Sequence, residues 1–335
     1  MSPLFWLSPG NPHQRTGGFL YNARMVQELG VLGVPSQVLV LEDAWPLPSA
    51  PEHAETLGQV PDGATVIADG LLWTGLEPVE RARLCVRCRV WVVIHSPLDK
   101  EGSAAEGLAA REAHAVAEAY GWWATSAATG RLMAERLGEK QAVVVVPGTD
   151  AGVQGAPGDP CALLAVGHLT RRKNHRLMLE ALAQCLDLEW SLRVVGATTR
   201  SPETHAELKC AVGELGLQDR VHFLGELDGA ALSTVYRTSG LLLHTADYEA
   251  YGMVLTEALA HGLPVMSRPA GALEGLESPA VIRITAQAGP GEWARSLRLW
   301  LSSPTSATAA VTAARTLVFP SWRAQAMVLS EHLQT

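Results

Sequence analysis

The sequence predicts an α/β protein made of two doubly wound, Rossmann-like parallel-sheet domains, and three observations carry that prediction. Short apolar runs alternate with amphipathic ones from end to end, the pattern of buried parallel strands joined by crossover helices. At 335 residues the chain is too long for one ordinary domain of this type and comfortable for two, each able to bury its own core. A stretch rich in Pro and Gly and without periodicity, Pro147 to Pro160, interrupts the alternation near the middle, and the same architecture restarts after it. The expected division is residues 1–150, a linker over 151–160, a second domain over 161–318, and a closing segment over 319–335.

In the first half, strands are expected at Leu4 to Leu7, Gln37 to Leu41, Thr65 to Ala68, Val90 to Ile94, Trp122 to Thr125 and Val143 to Val146. Helices between them include Phe19 to Leu29, Ala104 to Ala119 and Thr129 to Leu137. After the linker come strand Ala162 to Val166, helix Asn174 to Cys185, strand Ser191 to Val195, helix Pro202 to Leu215, strand Val221 to Phe223 and helix Gly229 to Arg237. The run His244 to Val265 then reads as a strand end, a loop carrying Glu249, Gly252, a helix with Glu257 in its second turn, a stop at Gly262 and a new strand from Pro264. A last helix, Trp322 to Leu333, starts after Ser321, a good N-cap. Such a closing helix packs back across a domain boundary.

Composition narrows the function. With 47% hydrophobic and 18% charged residues the chain is globular and ordered, and a net charge of −8 has the wrong sign for a general nucleic-acid binder. The N-terminal run Met1 to Pro9 has no basic flank and is too short for a signal peptide or membrane span, so a cytoplasmic protein is expected. Five cysteines, an odd count, argue for reduced thiols, and Cys85 and Cys88 lack both the second pair of a zinc site and the strand-then-helix setting of a redox pair. The arginines Arg81, Arg83, Arg87 and Arg89 are flanked by Glu77 and Glu80, which reads as a solvated helix face more than as contact with a membrane or an anionic acceptor.

In open parallel sheets ligands lie beyond the carboxyl ends of strands, and three loops there are rich in chemistry. Ser8 to Gly18 ends in Gly17-Gly18, opening a helix as a phosphate-approaching loop does. Gly167-His-Leu-Thr-Arg-Arg-Lys173 places cations just before a helix, where they oppose the dipole unless something negative is bound, so Arg172 and Lys173 read as a diphosphate clamp. In the third loop the amides of Tyr251 to Leu255 point out of a helix N-terminus, and Glu249 and Glu257 flank that anion site with carboxylates that accept from sugar or ribose hydroxyls. His95, where a buried strand emerges, can donate to a sugar hydroxyl. Loops near Gly196 and Leu224-Gly225 are placed to meet the base. No Asp-x-Asp occurs, so neither a metal nor any cofactor is indicated beyond the co-substrate.

These segments resemble family 4 glycosyltransferases of the GT-B fold, in which two Rossmann-like domains face a cleft. Glu249 to Val265 is similar to that family's Glu-x7-Glu signature, and Val166 to His175 to its phosphate-clamp segment. The resemblance extends over Thr16-Gly-Gly-Phe-Leu-Tyr-Asn22, Ile67-Ala-Asp-Gly70, Val93-Ile-His-Ser-Pro-Leu98, Val146-Pro-Gly-Thr-Asp150 and Trp322. It implies that Glu257 binds ribose hydroxyls and that Glu249 sits by the transferred sugar. It implies further that Ala250, Tyr251, Gly252, Met253 and Val254 hold sugar and phosphates, that Arg172 and Lys173 neutralise the leaving diphosphate, that Gly17 and Gly18 approach it, and that His95 touches the sugar. Retention of anomeric configuration without metal or covalent intermediate is implied as well. His168 stands where many members carry arginine, and Ala270-Gly271 where they carry Gly-Gly.

The expected function is therefore transfer of a hexose from a nucleoside diphosphate sugar, UDP or GDP first, to a hydroxyl acceptor that is a glycan, lipid or small metabolite. A nucleotide-sugar epimerase or phosphorylase on the same fold, and a sugar-nucleotide-binding subunit without transfer, are the alternatives.

Overall fold

The structure is a computed structural model that describes residues 3–10, 16–48, 53–101, 107–139 and 142–334. The middle of the loop between Ser8 and Gly18 (11–15) and the start of the helix expected from Ala104 (104–106) lie outside the described residues. The chain divides into two compact units, one formed by Met1–Gly148 with Pro320–Thr335, the other by Thr149–Phe319.

In the first unit six strands, β1 (Leu4–Ser8), β2 (Ser36–Val40), β3 (Thr65–Asp69), β4 (Arg89–Ile94), β5 (Gly121–Ala124) and β6 (Val143–Val144), pair in the order β2-β1-β3-β4-β5-β6. Every pair is parallel. β1 is buried along its whole length and β4 from Val90 onward, as expected for central strands covered on both faces. Three buried aromatics find partners for their polar atoms: the Trp73 indole donates to the Ala115 carbonyl at 2.7 Å, and the Trp123 indole donates at 3.2 Å to the Tyr21 hydroxyl, which donates onward to the Val145 carbonyl. Helix Gly17–Val31 begins at Thr16, whose hydroxyl accepts from the Phe19 amide. The closing helix, Trp322–Gln334, belongs to this unit, with the Trp322 ring edge-on to Tyr21 and capped by the Arg24 guanidinium.

The second unit repeats the plan with β7 (Asp159–Val166), β8 (Ser191–Val195), β9 (Val221–Gly225), β10 (Ser239–His244), β11 (Val265–Ser267) and β12 (Val281–Arg283), again all parallel, in the order β12-β11-β10-β7-β8-β9. Alternation along each strand sends its side chains to two separate cores: Leu163, Ala165, Leu241 and Leu243 pack with Trp293, while Leu164 and Leu242 pack with Leu255 and Leu259. Each fully buried leucine contributes about 1.5–3 kcal/mol relative to exposure, so helix Met253–Ala260, with Leu255, Ala258 and Leu259 inward, is anchored by its apolar face.

The boundaries differ from the sequence reading in places. β7 starts at Asp159, paired with Ser239, so two residues read as linker are strand. The loose composition there reflects backbone crowding, since a Cβ on Gly158 would run into the Ser239 carbonyl. β12 and helices Ala54–Gly58, Gly70–Gly75, Pro290–Leu301 and Pro304–Ala314 are additional.

The strand order fixes where ligands can bind. In the second unit the chain runs outward from β7 to β8 and β9, then returns to β10 on the other side, so the topological switch lies between the carboxyl ends of β7 and β10. In the first unit it lies between β1 and β3.

Candidate functional site

At the switch point of the second unit, the loop after β7 and the loop after β10 are bound into one structure. Arg172 donates through Nη1 to the Tyr248 carbonyl at 2.7 Å, and the Asp247 amide donates to the Arg172 carbonyl. Asn174 Nδ2 donates to Asp247 at 2.8 Å, Asp247 is ion-paired with Arg268, and the Thr245 hydroxyl donates to the Lys173 carbonyl. At the centre, Glu249 Oε2 is ion-paired with Lys173 Nζ and lies 3.0 Å from His244 Nε2, while His244 Nδ1 faces the Ser267 hydroxyl at 3.2 Å. Burial alone would raise the pKa of Glu249; the Lys173 charge and the His244 bond outweigh it and hold the carboxyl well below the usual carboxylate range.

The cations precede a helix, as the sequence reading had them: Arg171–Lys173 form a 3-10 turn, and Asn174, at φ 48°, caps the helix that starts at His175. Within the chain, Lys173 is paired with Glu249.

Helix Met253–Ala260 starts from Gly252, whose φ of 93° is left-handed and whose Cβ would lie 2.8 Å from Leu255 Cδ1. The Leu255 amide donates back to the Gly252 carbonyl, so it is not available to a ligand as the sequence reading had it. The amides of Met253 and Val254 have no acceptor within the helix. Ala250 is buried, and burial pushes the Tyr251 hydroxyl up to about 12. One helical turn further on, Glu257 Oε2 accepts from the Tyr236 hydroxyl at 2.9 Å. Burial raises the Glu257 carboxyl, the Tyr236 bond opposes that, and the charge of Asp150 adds to it. Gly196 and Gly225 join through the Gly196 amide at the ends of β8 and β9, and Gly196 packs so closely on the Gly167 carbonyl that a Cβ there would overlap it. His168 follows Gly167, and Leu224 is half-exposed at the end of β9. Thus Arg172, Lys173, Glu249, Gly252 and Glu257 gather around the β7 and β10 ends, with His168, Gly196, Leu224 and Gly225 along the same strand-end edge.

The other named residues belong to the first unit. Gly17 and Gly18 open helix Gly17–Val31, and His95 follows β4 with its ring against Gly18, where a Cβ would lie 3.1 Å from Cδ2. His95 Nε2 lies 2.9 Å from Asn22 Oδ1 and 3.3 Å from Asp69 Oδ2.

Sequence reasoning missed four side chains that hold these groups in place: His244, Tyr236, Asn22 and Asp69. For two of them a signal existed. His244 and Asp69 are polar residues closing otherwise apolar strands, the same sign that singled out His95.

Comparison with known proteins fits this geometry. Residues 149–317 match the family described as glycosyl transferases group 1. A D-inositol 3-phosphate glycosyltransferase from Geodermatophilus obscurus is 28% identical over 214 residues, 57% of this chain and 47% of that protein. The chain spans less than half the length of the curated relatives it matches first, 30%, 47% and 24%. Among solved structures, sucrose-phosphate synthase from Thermosynechococcus elongatus superposes with a TM-score of 0.80 at 20% identity, covering 100% of this chain and 98% of that one. Anabaena Alr3699/HepE in complex with UDP-glucose gives 0.78 at 18%, covering 100% of both chains. Those two likenesses establish the GT-B fold. With its two parallel six-stranded sheets and a match that takes in the whole β7 to β12 unit, this chain belongs to the glycosyl transferases group 1 family.

Proposed function

We propose that the protein transfers a hexose from a nucleoside diphosphate sugar to a hydroxyl acceptor, with retention of configuration and without a divalent metal. The observation that carries this reading is the pairing, on one short helix, of open N-terminal amides at Met253 and Val254 with a half-buried carboxyl group at Glu257, beside the Arg172–Lys173–Glu249 cluster. Amides and cations suit a diphosphate, and a carboxylate a turn away suits the two hydroxyls of a ribose. The complexes of Alr3699/HepE with UDP and with UDP-glucose support the donor class.

In this reading Lys173 and Arg172 stabilise the charge that develops on the departing diphosphate, an electrostatic contribution that needs no proton transfer. Glu249 holds Lys173 in place and lies next to the transferred sugar, Glu257 binds the ribose, Gly17 and Gly18 approach the phosphates, and His95 contacts the sugar. His168, Gly196, Leu224 and Gly225 meet the nucleoside side of the donor.

The test is thermal stabilisation by a panel of nucleoside diphosphates and their sugars, with and without magnesium, on wild type and Glu257→Ala. Ligand at about 100 times its dissociation constant adds roughly 2.7 kcal/mol. One nucleotide standing out, independent of magnesium and lost in the variant, supports the donor and the role of Glu257. No response to any nucleotide refutes the reading.

A further inference from the structure

The second-unit site contains an ionisable ring to which the donor-binding reading gives no part. β10 runs buried to its last residue, His244, whose register partner on the neighbouring strand is Ser267, the last residue of β11. Partners in a parallel pair point to the same face, so the register itself sets the imidazole beside the hydroxyl, with His244 Nδ1 3.2 Å from Ser267 Oγ. The other ring nitrogen, Nε2, lies 3.0 Å from Glu249 Oε2, the same oxygen that is ion-paired with Lys173. Both strand residues are buried.

Counting hydrogens assigns the state of the ring. Ser267 has one hydroxyl hydrogen, and its shorter contact, 2.7 Å, is to the Arg268 carbonyl, which only accepts. Its oxygen therefore turns a lone pair to His244 Nδ1, and that nitrogen must carry a hydrogen. Burial opposes the charge of Glu249, the Lys173 ammonium and the His244 bond outweigh it, and the resulting carboxylate also only accepts, so Nε2 must carry a hydrogen as well. A ring protonated on both nitrogens is a cation. The other ionisable neighbours leave that count unchanged. His175, on the helix after the Arg171–Lys173 turn, is pushed down to about 3 by burial, with the charges of Lys173 and His244 adding to the effect, and is neutral. Arg268, beyond Ser267, is paired with Asp247, and Glu257, on the helix packed against β10, accepts from Tyr236. One carboxylate thus stands between two cations, and the trio of Lys173, His244 and Glu249 keeps a positive charge in excess. The order Ser267, His244, Glu249 is that of a nucleophile, a base and an orienting acid, but a buried hydroxyl whose hydrogen is held by a carbonyl presents no nucleophile.

We propose that His244 is a positioning residue that acts as an imidazolium: by taking a share of Glu249 Oε2 it leaves part of the Lys173 charge uncompensated for the donor diphosphate, and it ties donor affinity to the protonation of one buried ring. This rests on the nucleotide-sugar reading. With His244 neutral, Glu249 cancels Lys173 and the site has no excess charge to offer. With His244 charged, the excess is unfavourable in the empty site and favourable once a diphosphate is bound.

The experiment follows the ring and the affinity together. Two-bond proton–nitrogen NMR on protein labelled at histidine nitrogens, with His244→Gln to assign the signal, is recorded from about pH 8.5 down to about pH 5.5, a window that brackets the ordinary histidine range. His244 reaches the doubly protonated pattern within that window while His175 stays neutral, and Ser267→Ala, which removes the acceptor of Nδ1–H, moves the His244 transition to lower pH. Calorimetric affinity for whichever of UDP-glucose and GDP-mannose stabilises the wild type is measured at both ends; their diphosphates are diesters with no proton to lose there. Wild-type binding should be tighter at the acid end by about threefold or more, and the gain should vanish in His244→Gln, which keeps a hydrogen-bonding side chain without the charge, its melting temperature confirming an intact fold. A His244 ring still neutral at the acid end, a transition that Ser267→Ala leaves in place, equal wild-type affinities at the two ends, or a gain that persists in His244→Gln each overturns the proposal. Failure of the donor reading shows separately, as absence of stabilisation by every sugar nucleotide, and the spectra still decide the charge of the ring.

Discussion

Replacing Glu249 by glutamine tests whether the second-unit site is held together by one carboxylate. Glu249 Oε2 serves both Lys173 and His244, and the Glu249 and Lys173 side chains are only 13% and 17% exposed. Breaking a buried pair from one side costs about 3–5 kcal/mol because the other charge is stranded. Glutamine still offers an oxygen to Lys173 but no charge, so the lower end, about 3 kcal/mol, is expected, more than a hundredfold in local opening. Hydrogen exchange read by mass spectrometry isolates the effect: peptides covering the loops after β7 and β10 lose protection at pH 7, while peptides from β3 and β4 in the other unit serve as control. The sign with pH follows from the lowered carboxyl. Its stabilisation is complete above the ordinary glutamate range and is lost as pH falls below that range towards the folded value, so the gap between variant and wild type closes in acid. Protection within threefold of wild type at pH 7, or a gap that persists in acid, would refute the argument.

Three further outcomes follow from the same geometry. Glu112 is buried, accepts from the Leu98 amide and lies 3.5 Å from Arg136, yet burial pushes its carboxyl up to about 7. The folded protein thus keeps a proton that the unfolded chain has lost above about 4.5, and stability falls as pH rises through that window and levels off above 7. Urea melts of Glu112→Gln should gain roughly 3 kcal/mol on wild type between pH 4.5 and 7.5, and parallel curves would contradict this. Gly196→Ala forces a Cβ onto the Gly167 carbonyl oxygen, which cannot yield as a side chain would, and should cost about 1–3 kcal/mol, visible as a lower melting temperature. Tyr236→Phe removes the hydroxyl that Glu257 Oε2 accepts, a bond to a charged group worth about 1.5–3 kcal/mol, so calorimetric affinity for the stabilising nucleotide should fall at least tenfold; unchanged affinity would mean that the tyrosine only packs.

What the sequence makes legible is whatever repeats locally. Apolar runs announce β1, β4 and β10 because a strand buried on both faces needs no partner to identify it. β12, with three residues, carries too little pattern to stand out from a loop, and helix Gly70–Gly75, with six, is under two turns long. Glycines whose role is close approach of backbone, such as Gly158 against Ser239, read as linker because composition cannot distinguish crowding from flexibility. The glutamates and cations of the candidate site were visible because their helix-start context is local, but the partner that neutralises Lys173 is 76 residues away.

That separation explains which functional groups escape a linear reading. Tyr236 meets Glu257 across 21 residues, Asn22 meets Asp69 across 47, and Asn22 meets His95 across 73. None of these pairs has a spacing that means anything before the strand order is known. Once it is, both units show the same device near their switch points: a strand that runs apolar until it closes in a histidine or is followed by one, His244 or His95, with Nε2 turned to a carboxylate from another loop or strand end, Glu249 or Asp69. The remaining partner differs. Glu249 also takes the Lys173 ammonium, so its charge serves an electrostatic cluster, whereas Asp69, among the described residues, takes hydrogen bonds from Asn22, Leu71 and His95, so its charge serves to orient a ring. Loss of Glu249 should therefore register mainly as stability and anion affinity, and loss of the Asp69 charge mainly as a loosened His95 ring.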